Sequence, residues 1–255
     1  MKGNEREFDR LVKDAVKAHF SGWDFSYLTG RVVYTERPWD YGKEVIRKMK
    51  GIESMLDLGT GGGEFLASLK NLPKRTVATE AYPPNVPLAR RRLKPLGVEV
   101  VKVDSERGLP FESETFDLVM DRHTDYEPSQ VWRVLRWGGT FVTQQVGREN
   151  NIQINEVLDE RKYERVDTGL KMAVKELRAQ GFVIKQQRDA RLPSKFLDVG
   201  ALVYYLKAVP WQFDNFSVER YRKQLLRVHE LIGEKGSFDT VETRYFIEAN
   251  KRSAS

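Results

Sequence analysis

The sequence predicts an α/β fold, a largely parallel sheet with helices on both faces. Two observations carry this. From about residue 53 onward, short apolar stretches alternate with helix-like stretches, and glycines or acids punctuate the joints. The 255 residues are 40% hydrophobic, enough for one full-sized core with elaborations and too few to demand two independent domains.

The elements follow in order. "MKGNEREFDRLVKDAVKAHF" (1–20) reads as an amphipathic helix, with Phe8, Leu11, Val12, Ala15, Val16 and Phe20 on one face. "ESMLDLG" (53–59) reads as a buried strand and "GEFLASLKNL" (63–72) as the next helix. "RTVATE" (75–80) is a second strand, and "PNVPLARRRLKPL" (84–96) a helix whose prolines suit a first turn. "VEVVKVD" (98–104), "FDLVMDRH" (116–123) and "GTFVTQQV" (139–146) are further strands, the last two separated by the helix "EPSQVWRVLR" (127–136). "GLKMAVKELRAQ" (169–180) is a helix, and "GFVIKQQRD" (181–189) and "TRYFIEANK" (243–251) are strands. Between those two strands lies an aromatic-rich insertion holding "DVGALVYYLKAVPWQF" (198–213) and the basic helix "VERYRKQLLRVHELIG" (218–233). The expected organisation is an N-terminal helical cap (1–45), an α/β core (46–189), a helical insertion or lid (190–241), and a last core strand with its tail (242–255).

Composition removes several chemistries. The chain has no cysteine, which excludes disulfides, thiolate metal sites and cysteine nucleophiles. Its three histidines, His19, His123 and His229, lie far apart, and no metal site is expected. No apolar run is long enough to span a bilayer. The charged N-terminus lacks the apolar run of a secretion signal, so a cytoplasmic location is the expectation. The net charge of +6 permits nucleic acid or an anionic substrate as a partner without requiring either. "ARRRLK" (89–94) reads first as a solvated helix face.

"SMLDLGTGGGEFLASL" (54–69) holds four glycines between two apolar runs. Strand, glycine loop and helix together form the nucleotide-binding turn of doubly wound folds. A P-loop fails here, because no Lys-Ser/Thr pair follows Gly63. A dinucleotide turn fails too: counting from Gly59, the third glycine would fall on Glu64, whose carboxylate would repel a pyrophosphate.

The stretch Asp57-Leu58-Gly59-Thr60-Gly61-Gly62-Gly63 instead resembles motif I of class I S-adenosylmethionine-dependent methyltransferases. "VATEAY" (77–82), "VKVDSERGLPF" (101–111), "FDLVMDRH" (116–123) and "RVLRWGGTFV" (133–142) resemble further motifs of that superfamily in its order and spacing. Trp137 stands where the family usually has proline. "GWDFSYLTGR" (22–31) and "DVGALVYYLKAVPW" (198–211) resemble segments of a bacterial subgroup related to the menaquinone and ubiquinone biosynthesis enzymes, within the type 11 methyltransferase domains.

The resemblance implies a Rossmann-like seven-stranded sheet whose last strand is antiparallel. It implies S-adenosylmethionine as cofactor and S-adenosylhomocysteine as product. Carried onto this chain, the cofactor residues are Asp57, Gly59, Thr60, Gly61, Gly63, Glu80, Ala81, Asp104, Ser105 and Asp121. Asp57 suits the ammonium of the methionyl part, Glu80 the ribose hydroxyls and Asp104 the adenine amino group.

The acceptor is less legible. His123 follows the fourth strand, at the sheet edge where ligands sit, and is the candidate general base. It would equally serve as a loop residue bonded to backbone. Arg122 would anchor an anionic group or stand as a structural strand-end residue, and Trp23, Tyr27, Arg31, Tyr204 and Trp211 are candidates for an acceptor lid, with packing of the added helices onto the core as the alternative for the aromatics. A partly apolar lid suits a small or medium organic acceptor. The rival expectations are an RNA methyltransferase and a non-catalytic cofactor-binding or scaffold protein.

Overall fold

The computed structural model describes residues 2–104, 108–163 and 169–252. In chain order the elements are α1 (Lys2–Lys17), β1 (Val32–Tyr34), α2 (Tyr41–Lys48), β2 (Ser54–Leu58), α3 (Glu64–Ser68), β3 (Arg75–Glu80), α4 (Asn85–Leu93), β4 (Glu99–Lys102) and β5 (Phe116–Arg122). They continue with α5 (Pro128–Val134), β6 (Leu135–Val146), α6 (Ile152–Asp159), α7 (Gly169–Ala179), β7 (Phe182–Phe196), α8 (Val199–Ala208), α9 (Arg222–Lys235) and β8 (Phe238–Lys251).

All eight strands join one sheet in the order β1-β7-β8-β6-β5-β2-β3-β4. The run β4-β3-β2-β5-β6 is parallel, as short buried strands joined through helices require. β8 is antiparallel to both β6 and β7, and β1 is antiparallel to β7. β2 is buried along its whole length, which explains why it reads as a continuous apolar run. The chain goes from β2 to β3 on one side and later returns to place β5 on the other, so the sheet reverses direction between β2 and β5. Ligands of open α/β sheets bind at such a reversal.

The sheet has eight strands where seven are expected. The additional strand is β1, three residues from the segment read as a helical cap, paired Val32↔Phe196 through Tyr34↔Ser194. It finds a partner because β7 runs on past residue 189 to Phe196. β6 likewise begins at Leu135, four residues ahead of the expected start, and α6 forms where no element is expected.

Two apolar layers flank the sheet. One gathers Val45, Leu66, Leu93 and Phe246 under α2, α3 and α4; the other gathers Val131, Leu177, Phe182 and Ile247 under α5 and α7. A third apolar cluster joins distant segments: Phe8 and Val12 of α1, Leu202 and Tyr204 of α8, Leu225 and Val228 of α9, and Ile154 of α6. The face predicted for α1 is largely the buried one, except that Val16 is half exposed. No helix among the described residues is long and apolar enough to cross a membrane.

Candidate active site

The loop after β2 turns sharply into α3. Gly59 has φ +61°, and a Cβ built there would lie 2.0 Å from Thr124 Oγ1. Gly63, at φ +82°, caps α3 against Leu93. Backbone in this conformation next to such close neighbours admits only glycine readily. The turn is pinned by hydrogen bonds from Thr60 N to Thr79 O (2.8 Å) and from Gly63 N to Thr60 O (3.0 Å). Gly59 N donates to Thr79 Oγ1 (3.2 Å).

Glu80 ends β3 beside this loop. Its carboxylate accepts from Gly61 N (2.6 Å) and from Tyr82 N (2.7 Å). The acid is buried, and burial pushes its pKa up, opposed by those backbone bonds. Asp57, also buried, is pushed up to about 7 by burial, with the Thr60 side chain and then Arg122 opposing and Glu80 adding to the rise. The two carboxylates line one cavity of about 200 Å3, together with Gly59, Thr60, Gly61, Arg122 and His123. Trp23 forms part of its wall. The Thr60 hydroxyl is buried there, and its interaction with the Asp57 carboxylate works against the rise of that pKa.

The loop after β5 supplies the opposite wall. Arg122 places its guanidinium over the Phe65 ring, 4.2 Å from the centroid, and burial lowers its pKa. His123 has φ +68°, uncommon for a residue with a Cβ, and its N–H donates to Gln144 O (3.0 Å). Its Nε2 lies 3.3 Å from Gln144 Nε2, while Nδ1 is buried without a partner. Burial first, then Arg244, Arg122 and Arg37, drive the imidazole pKa well below 6.5.

Several sequence-predicted residues stand elsewhere. Asp121 is fully buried beneath the loop, where it accepts from Thr124 N (3.2 Å) and Gln145 Nε2 (2.8 Å). Burial pushes its pKa well up, opposed by the hydrogen bond from Thr124 N. Gly63 and Ala81 adjoin cavity-lining residues without lining the cavity, Asp104 is exposed past β4, and Ser105 lies outside the described residues. Tyr27 stacks on Tyr204 at 4.4 Å, and Arg31 forms a two-point pair with Asp198, whose other role is to cap α8. Both tie the N-terminal segment to the insertion. Trp211 is exposed and stacks on Trp23 with 6.0 Å between ring centroids.

The sequence reading misses Glu64, Phe65, Asn85 and Thr124 as cavity residues. Phe65 reads as helix core, and Thr124 carries no sequence signal beyond following the histidine. A second cavity, about 440 Å3, shares Thr124 and lies against α7; none of the sequence-predicted residues lines it.

A sheet with this strand order, with a glycine turn after its first core strand and an acid ending the second, defines a class I methyltransferase fold. Residues 56–143 match the family model described as a methyltransferase domain. No curated protein sequence matches it. Among solved structures, a candidate methyltransferase of Bacillus halodurans C-125 superposes with a TM-score of 0.60 at 20% identity, covering 84% of this chain and 99% of that one. The YcgJ protein of Bacillus subtilis gives 0.58 at 16% identity, with coverage of 84% and 99%. A functionally unknown protein of Deinococcus radiodurans R1 gives 0.58 at 14% identity, with coverage of 86% and 90%. At these identities the likeness is one of fold.

Proposed function

We propose that the chain is an S-adenosylmethionine-dependent methyltransferase acting on a small or medium organic molecule. One observation carries the reading: Glu80 is held by Gly61 N–H at the lip of a cavity that also contains Asp57 and the glycine turn. A carboxylate fixed in this way keeps lone pairs free for two vicinal hydroxyls. Asp57 accepts the methionyl ammonium, and Gly59 and Gly61 let backbone approach the cofactor closely. The Thr60 hydroxyl lines the same cavity and gives the cofactor a further bond. The cofactor supplies an activated methyl group. The protein's residues bind it, orient the acceptor and exclude water.

The cavity is small for cofactor and acceptor together, and Trp23 bounds it. The segment carrying Trp23 therefore moves outward to admit ligands and returns over them. Fully buried or mutually stacked aromatics make a cap that suits a compact acceptor better than a nucleic-acid strand. Calorimetric titration with S-adenosylhomocysteine tests the reading; absence of binding to folded protein refutes it. Transfer of labelled methyl to RNA and not to any small acceptor would favour the RNA alternative, and binding without any turnover the scaffold alternative.

A further inference from the structure

Beside the cavity, His123 lies in the field of three guanidinium groups. Arg122 lines the cavity with it, and Arg37 and Arg244 lie within electrostatic reach of the ring. Arg244 shares a sheet face with Gln144: Arg244 pairs with Val146 and Phe246 pairs with Gln144 in the β6–β8 ladder. Only one of the three guanidinium groups has a carboxylate within ion-pair distance, Arg244 with Glu242 at 2.9 Å. Arg37 and Arg122 form no ion pair among the described residues. Arg244 is 9% exposed, yet its Nε has no hydrogen-bond partner.

The proton on His123 can be placed from its neighbours. Trp39 Nε1 donates to Gln144 Oε1 at 2.8 Å, which fixes the orientation of the Gln144 amide. Gln144 Nε2 therefore faces His123 Nε2, and since an amide nitrogen only donates, the imidazole nitrogen accepts. The ring proton sits on Nδ1, which is buried and unpartnered. His123 thus offers a donor, and the surrounding positive charge favours keeping the ring neutral.

A half-buried guanidinium without an ion pair, Arg122, lining one cavity with a buried donor without an acceptor, His123 Nδ1, is costly unless an anion joins them. We infer that the methyl acceptor carries an oxyanion, a carboxylate or a phosphate, held in the cofactor cavity by Arg122 with His123 donating from Nδ1, and with Arg37 adding positive charge from further out. This rests on the methyltransferase reading and names its substrate class. It also replaces a proton-abstracting role for His123 with a binding one.

The test begins with the complex of the protein with S-adenosylhomocysteine, titrated with benzoate, inorganic phosphate and the neutral analogue benzamide at constant ionic strength. The expected result is saturable binding of one anion and none of benzamide. A preference for benzoate points to a carboxylate acceptor, and one for phosphate to a phosphorylated acceptor. Arg122→Met should weaken the anion at least tenfold, and His123→Leu likewise, with His123→Asn restoring part of the loss through its amide donor; Arg37→Met should weaken it less, and the more so at low salt, as a charge acting at a distance does. Arg37 is exposed, so its variant remains informative if Arg122→Met fails to fold. Saturable S-adenosylhomocysteine binding with neither anion bound overturns the inference and leaves the methyltransferase reading standing. Arg122→Met weakening S-adenosylhomocysteine while leaving the anion untouched overturns it as well, by assigning Arg122 to the cofactor's own carboxylate. Failure to bind S-adenosylhomocysteine removes the reading and the inference together.

Discussion

Replacing Glu80 by alanine removes one carboxylate that serves two purposes. In the free protein it accepts from Gly61 N at 2.6 Å and Tyr82 N at 2.7 Å. In the proposed complex it also accepts from the ribose. Hydrogen bonds to a charged group contribute about 1.5–3 kcal/mol. The lost ribose bonds should therefore weaken S-adenosylhomocysteine by roughly ten- to 150-fold. The two orphaned N–H groups cost about 1–3 kcal/mol apiece if left dry, but they border a cavity that water can enter, so the loss of fold stability should stay near the bottom of that range. Burial of Glu80 raises its pKa, so ionised Glu80 has been destabilising itself, and its removal recovers part of the loss. Calorimetry gives the affinity and urea unfolding gives the stability. A variant that is folded, melts as expected and binds S-adenosylhomocysteine with unchanged affinity would refute the placement of Glu80 against the cofactor.

Asp57, with a pKa of about 7 in the free protein, must be ionised to hold an ammonium, so S-adenosylhomocysteine affinity should fall as pH drops through 7. Calorimetry in buffers of different ionisation enthalpy should show proton release on binding near pH 7, and a buffer-independent heat would contradict this. The same raised pKa makes Asp57 favour folding at low pH and lose that contribution as pH rises through 7; Asp57→Asn should flatten this part of the urea-stability profile. Gly59→Ala combines a left-handed backbone with overlap against Thr124, and should cost about 2–4 kcal/mol in urea unfolding; a cost below about 1 kcal/mol would show that the turn yields freely. Trp211→Ala removes the ring stacked on Trp23 and should speed amide exchange across residues 21–28 in the free protein, with protection returning on S-adenosylhomocysteine binding; equal exchange in both states would count against a moving wall.

The parallel half of the sheet was legible because its strands are buried on both faces and its turns end in glycine or acid. β2 and Glu80 are the clearest instances. β1 was not, because three residues carry no periodicity of their own and form a strand only against the far end of β7. That end of β7 alternates polar and apolar residues on an exposed flank, so a sequence reading stops at the last apolar cluster. α6 starts from Asn151 in a left-handed conformation with no side-chain cap, leaving no start signal to read. Within the site, the glycine turn announces itself through composition. The state of His123 does not, since it depends on Trp39 and Gln144, two residues that meet only through the folded chain.

The third apolar cluster joins α1 to α8 and α9, elements nearly 200 positions apart in the chain. The Tyr27–Tyr204 stack and the Arg31–Asp198 pair fasten the same two regions. The cap is thus a single cassette written in two places. Exchanging the insertion alone for that of a relative would leave Phe8 and Val12 facing foreign side chains, so a chimera that keeps this packing must carry both segments from one parent. Drift in either segment is correspondingly constrained by the other, and pairs of compensating changes between residues 8–31 and 198–228 are where divergence of the cap would leave its record.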